Sequence, residues 1–145
     1  MSAMPAPRRP RTYLLARVPL FSGLSRAQLG RVAALAEQRT YLEGQEIVKA
    51  GEPGKAFYVI VNGRAKVKKG SRTEAELGRG AFFGELALLD GEARSRTVVA
   101  QSIIEAIRIE RTAFRRLLQK EPKLAIALLE GMARRTRKIM DTPSL

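Results

Sequence analysis

Apolar positions along this chain change their period twice. Leu24, Leu29, Val32, Leu35 and Ala36 recur at roughly helical spacing, the one-sided stripe of an amphipathic helix. Ser25 followed by Gln28 has the form of a capping box, so the spacing predicts a helix from Arg26 to Gln38. From Arg39 to Glu110 the apolar runs shorten. Turn signals separate them at Glu43-Gly44, Gly51 to Gly54, Asn62-Gly63, Gly70-Ser71, Gly78 to Gly80 and Asp90-Gly91. Strands are expected at Arg39 to Leu42, Glu46 to Lys49, Phe57 to Val61, Arg64 to Lys69, Thr73 to Leu77, Ser95 to Ala100 and Ile103 to Ile109. Asn62-Gly63 predicts a tight hairpin with a type I′ turn between Phe57 to Val61 and Arg64 to Lys69. On its second strand Arg64, Lys66 and Lys68 alternate outward against Ala65 and Val67 inward. Helical spacing then returns, with Phe114, Leu117 and Leu118 on one short helix. Pro122 is suited to the first turn of a last helix striped by Leu124, Leu128, Met132 and Ile139.

An antiparallel sandwich or barrel flanked by helices follows from that pattern. Its 145 residues, 45% of them apolar, suffice for one domain, expected over residues 14–140. The opening MSAMPAPRRPRT has three prolines and three arginines with little to bury, so residues 1–13 are expected to form a disordered basic tail and 141–145 a C-terminal one. Neither a signal peptide nor a membrane span is expected, which makes cytoplasmic the default. No DNA-binding segment is expected after the last helix.

Composition removes several chemistries. With no cysteine and no histidine, thiolate metal sites, the commonest metal ligand and the usual general base are all missing, and no metal, cofactor or enzymatic activity is expected. The net charge of +13 concentrates at the two ends, with seven Arg/Lys against Glu37 in residues 1–40 and nine against Glu121 and Glu130 in residues 111–140. Such an excess attracts polyanions without specifying one.

Residues 82–91, FFGELALLDG, fit neither a strand nor an ordinary helix, and read as a short helical insertion. A helix starting near Gly84 would offer the free amides of Glu85, Leu86 and Ala87 to an anion, while Gly84 permits close approach. Glu85 beside a phosphate makes sense if it accepts from hydroxyl groups, and a sugar phosphate satisfies both. Arg94 adds a planar cation for two phosphate oxygens and Ser95 a hydroxyl and an amide.

Phe83, Gly84, Glu85, Leu86, Ala87 and Leu88, followed by Arg94, Ser95, Thr97 and Val98, resemble the phosphate-binding cassette of the cyclic nucleotide-binding domain family. That family includes bacterial catabolite activator proteins, cyclic-nucleotide-dependent kinase regulatory subunits and cyclic-nucleotide-gated channels. VPLFSGLS from Val18, IVKAGEPG from Ile47 and FYVIVNG from Phe57 are similar to further family segments, and the likeness covers residues from about 14 to 140. The fold it implies is α+β: an antiparallel, jelly-roll-like β-roll (a double-stranded β-helix) with an N-terminal helix, two C-terminal helices and a short phosphate-binding helix between strands.

The resemblance implies that Phe83, Gly84, Glu85, Leu86, Ala87, Arg94, Ser95 and Thr97 bind cyclic AMP or cyclic GMP, with cyclic AMP favoured. Glu85 would accept from the ribose 2′-hydroxyl, Arg94 would pair with the cyclic phosphate, and the amides of Gly84, Leu86 and Ser95 would complete the cradle. Arg134, Arg135 or Thr136 would supply a base contact. The competing reading is a Glu85–Arg94 ion pair closing an empty loop. Arg96 stands where the family usually has a small residue. It is either solvated on the opposite face from Ser95 or a second cation near the phosphate, which would admit a ligand such as cyclic di-GMP. As a receptor the chain would signal by moving its last two helices toward an unidentified protein effector, with a homodimer left open. The other class is a nucleotide-free module whose basic ends bind nucleic acid or an acidic protein.

Overall fold

The structure, a computed structural model, describes residues 8–141. Of the expected tails, residues 1–7 and 142–145 lie outside the described residues. Helix α1 spans Arg8–Ala16, so the second half of the expected N-terminal tail is helical. Pro10 lies in its first turn, where backbone N–H groups have no intrahelical partner to lose. Asp141 likewise belongs to the last helix rather than to a tail.

The chain divides into two compact units, one comprising Leu35–Arg115 and the other the segments on either side of it. In the helical unit α1 packs on α2 (Arg26–Ala33), and a 3-10 turn at Pro19–Phe21 packs on α5 (Pro122–Asp141). The capping box of α2 is present: Gln28 N donates to Ser25 Oγ at 3.2 Å and Ser25 N to Gln28 Oε1 at 2.8 Å. The helix ends at Ala33, five residues before the expected Gln38, because Glu37 to Tyr41 pair as a strand and the backbone amides there serve the sheet. Pro122 opens α5 as expected, and Leu124 and Leu128 are buried. Ile139 is 76% exposed, so the predicted stripe stops short of it. The close approach comes at a glycine instead, since a Cβ on Gly131 would stand 2.8 Å from Gly23 N.

The β unit is two four-stranded antiparallel sheets. One has the order β1 (Glu37–Tyr41), β8 (Ile104–Glu110), β3 (Ala56–Asn62), β6 (Phe82–Phe83). The other runs β2 (Glu46–Val48), β7 (Thr97–Ala100), β4 (Ala65–Lys69), β5 (Arg72–Leu77). Ile60, Ala65, Val98, Ala100, Ile104 and Ala106 form a buried cluster, with Val67, Leu77 and Phe83 packed against it. This is the β-roll, and α3 (Ala87–Asp90) is the helical insertion between strands.

The predicted Asn-Gly hairpin is not formed. β3 and β4 belong to different sheets, and Gly63 has φ +99° while Asn62 lacks the positive φ that a type I′ turn requires at both positions. A Cβ at Gly63 would also stand 3.0 Å from Ile104 Cα, so the glycine serves a close crossing of backbones. The tight hairpin is the next one, β4 to β5, with Lys69 paired to Arg72 across Gly70-Ser71. Strand β6, which pairs Tyr58 with Phe83, was not expected because two residues carry no readable period.

Candidate functional site

Gly54 explains how the cassette is held. It is buried, and a Cβ there would stand 2.5 Å from the Ala87 Cβ and 2.8 Å from Glu92 O. The glycine turn of residues 51–54 therefore presses directly on α3. Backbone bonds complete the clamp: Gly54 N donates to Glu92 O at 3.0 Å, Arg94 N to Glu52 O at 2.8 Å and Gly51 N to Arg94 O at 2.8 Å. Thr97 Oγ1 accepts from Ala50 N at 3.0 Å, tying the start of β7 to the same turn.

Helix α3 begins at Ala87, later than the Gly84 start expected. Gly84 has φ +84°, left-handed backbone that L residues rarely adopt. An added Cβ would collide with Arg94 Nη1 and lie 2.9 Å from Ala56 O, so the arginine folds directly over the glycine backbone. Gly91, at φ +65°, caps α3 by donating its N–H to Ala87 O at 3.0 Å.

One cavity of about 430 Å³ is lined by Gly84, Glu85, Leu86, Ala87, Arg94 and Ser95, six of the eight expected ligand residues, together with Asp90, Glu92 and Ala93. Of the other two, Phe83 stacks on Tyr58 in the roll interior, ring centroids 5.0 Å apart, and Thr97 holds Ala50. Arg134, Arg135 and Thr136 lie on α5 in the helical unit, where Arg134 Nη1 is 4.0 Å from Glu130.

The Arg94 guanidinium is half-buried and donates to the Ala56 carbonyl. Burial holds its pKa below the ordinary arginine value. A desolvated cation resting on a neutral carbonyl is the arrangement an incoming anion relieves. Arg96 is placed differently: its Nε donates to Glu74 on β5 at 2.6 Å, and it is absent from the cavity lining. At the far end of α3, Leu89 O accepts from Arg111 Nη2 at 3.3 Å and Arg115 Nη1 at 3.1 Å. These two arginines stand in α4 (Arg111–Lys120), and nothing in their spacing marks them as partners of the insertion.

The sequence that holds this left-handed glycine under a half-buried arginine is matched by a family model. The cyclic nucleotide-binding domain model covers residues 38–121. The chain belongs to that family.

Among proteins similar to this cyclic nucleotide-binding domain is a cAMP-dependent protein kinase regulatory subunit of Hypocrea atroviridis. It is 33% identical over 132 residues, which are 91% of this chain and 27% of that protein. Among solved structures, the N-terminal domain of a transcriptional regulator from Streptomyces coelicolor superposes with TM-score 0.79 at 30% identity, covering 91% of this chain and 98% of that one. The regulatory domain of Toxoplasma gondii PKA, co-crystallised with cAMP, gives TM-score 0.68 at 26% identity, covering 90% and 50%. The chain spans about a third or less of the length of the curated relatives it matches. Among the described residues no helix is long and apolar enough to cross a membrane.

Proposed function

We propose that this domain is a non-enzymatic receptor for cyclic AMP. The observation that carries the proposal is the cavity of about 430 Å³, in which Glu85 and Arg94 converge with the backbone of Gly84, Leu86 and Ser95. That volume lies within the ~300–1,000 Å³ range of small-molecule sites. In this reading Arg94 leaves Ala56 O for the cyclic phosphate, the amides of Gly84, Leu86 and Ser95 and the Ser95 hydroxyl complete the cradle, and Glu85 accepts from the ribose 2′-hydroxyl. Cyclic AMP is preferred to cyclic GMP because the Toxoplasma relative was crystallised with it. The Arg96–Glu74 pair argues against Arg96 serving as a second phosphate contact.

Signalling would begin at Leu89. Its carbonyl is shared by Arg111 and Arg115, so a shift of α3 toward ligand pulls on the first turns of α4. Ligand biases that movement only through its different affinity for the two positions.

The test is a thermal-shift series with cyclic AMP, cyclic GMP, cyclic di-GMP and 5′-AMP on wild type and Arg94→Ala. At a hundred times its dissociation constant a ligand should add about 2.7 kcal/mol of stability. Arg94→Ala should lose roughly 2–5 kcal/mol of affinity, as when a desolvated charge pair loses one partner. Absence of any shift with cyclic nucleotides sinks the receptor reading, and unchanged binding in Arg94→Ala sinks the cassette assignment.

A further inference from the structure

We propose that the β-roll holds a second anion subsite, formed by Lys49, Lys55, Arg94 and Arg108, that takes a phosphate group. A second cavity, of about 100 Å³, is lined by these four cations with Glu52 as the single carboxylate among the lining residues, and Tyr58 also borders it. It lies well below the ~300 Å³ at which small-molecule sites begin, so it suits an ion-sized group rather than a nucleoside.

Arg108 is the unexpected member. It lies on the same face of β8 as Ile104 and Ala106, which belong to the buried cluster, and its side chain is only 18% exposed. Its orientation is set in advance, with Nε on the Tyr58 hydroxyl at 3.3 Å and Nη1 on Glu110 Oε1 at 2.7 Å. Glu110, with Glu37 at 3.9 Å, offsets the Arg108 charge, whereas Lys49, Lys55 and Arg94 make no ion pair among the described residues. A planar guanidinium held in place beside the point charges of two exposed lysines is well suited to a tetrahedral oxyanion. Arg94 lines both this cavity and the cassette, so occupancy of one alters affinity at the other, reciprocally.

The phosphate has two sources, a free ion or the second phosphate of one larger nucleotide. Inorganic phosphate and cyclic di-GMP are each titrated calorimetrically at constant ionic strength into wild type, Lys49→Ala/Lys55→Ala and Lys120→Ala/Lys123→Ala. Both lysine pairs are exposed, so each double variant should fold, and the second removes the same charge far along the chain. The expected result is one phosphate site weakened roughly ten-fold by the first double variant, about three-fold for each exposed lysine lost, and unchanged in the second. If inorganic phosphate does not bind but cyclic di-GMP shows that same selective loss, the subsite serves the second phosphate of one ligand. Equal affinities of wild type and Lys49→Ala/Lys55→Ala for both probes overturn the proposal, as does equal weakening in the two double variants. Cyclic AMP is titrated in parallel, so a domain that takes phosphate but no cyclic AMP keeps the subsite and loses the receptor reading.

Discussion

Tyr41, at the end of β1, meets Tyr58 edge-on with ring centroids 6.3 Å apart. Burial, reinforced by the neighbouring Tyr58, pushes the Tyr41 phenol up to about 12. In the unfolded chain the same phenol ionises near its ordinary value of about 10. The folded state therefore binds this proton more tightly, and its contribution to stability is complete below pH ~10 and lost as pH climbs toward ~12. An absorbance titration should show one tyrosine ionising late, and Tyr41→Phe should flatten the alkaline fall in stability. A Tyr41→Phe protein whose alkaline unfolding matches wild type would place the effect elsewhere. Arg108 illustrates the opposite balance: burial alone would lower its pKa, but the hydrogen bonds it donates to Tyr58 and Glu110 outweigh that and raise the value. The bond from Arg108, together with its charge, holds the Glu110 carboxyl below its ordinary value.

Two glycines inside helices show how packing reverses an intrinsic preference. Glycine in a helix interior costs about 0.5–1 kcal/mol relative to alanine, so replacement normally stabilises. Gly30 in α2 has nothing within 4 Å of an added Cβ, and Gly30→Ala should raise stability by about that amount. Gly131 in α5 has Gly23 N at 2.8 Å and Gly23 Cα at 2.9 Å, backbone atoms that have little room to give. Gly131→Ala should lower stability by roughly 1–3 kcal/mol, the usual range for overpacking. Thermal unfolding of the two variants checks the sign of each, and stabilisation by Gly131→Ala would show that the crossing relaxes freely. Strand elements obey the same rule. Asn62-Gly63 has the composition of a hairpin turn, but Ile60 and Ala65 both face the buried cluster from opposite sheets, and filling that cluster requires the chain to cross over.

At the scale of the molecule, the +13 charge predicts a sequence-independent affinity for polyanions. Binding of duplex DNA should be measurable at about 50 mM salt, fall steeply toward about 200 mM, and ignore cyclic AMP. Filter binding across that range checks this, and salt-resistant binding that responds to cyclic AMP would make the nucleic acid part of the output. The sequence by itself determined the class of most elements and the family, because helical period, strand alternation, capping pairs and glycine spacing are local and survive without neighbours. It grouped Gly84, Glu85, Arg94 and Ser95, which line one cavity, because all four lie within a dozen residues. Only the tertiary structure decided where α2 yields to β1, that β3 and β4 part company, that Thr97 holds a turn, that Arg96 belongs to Glu74, and that Arg108 enters the roll. Each of these depends on a partner far along the chain, Arg108 on Tyr58 fifty residues away, and no local period can announce which distant strand will be hydrogen-bonded beside it.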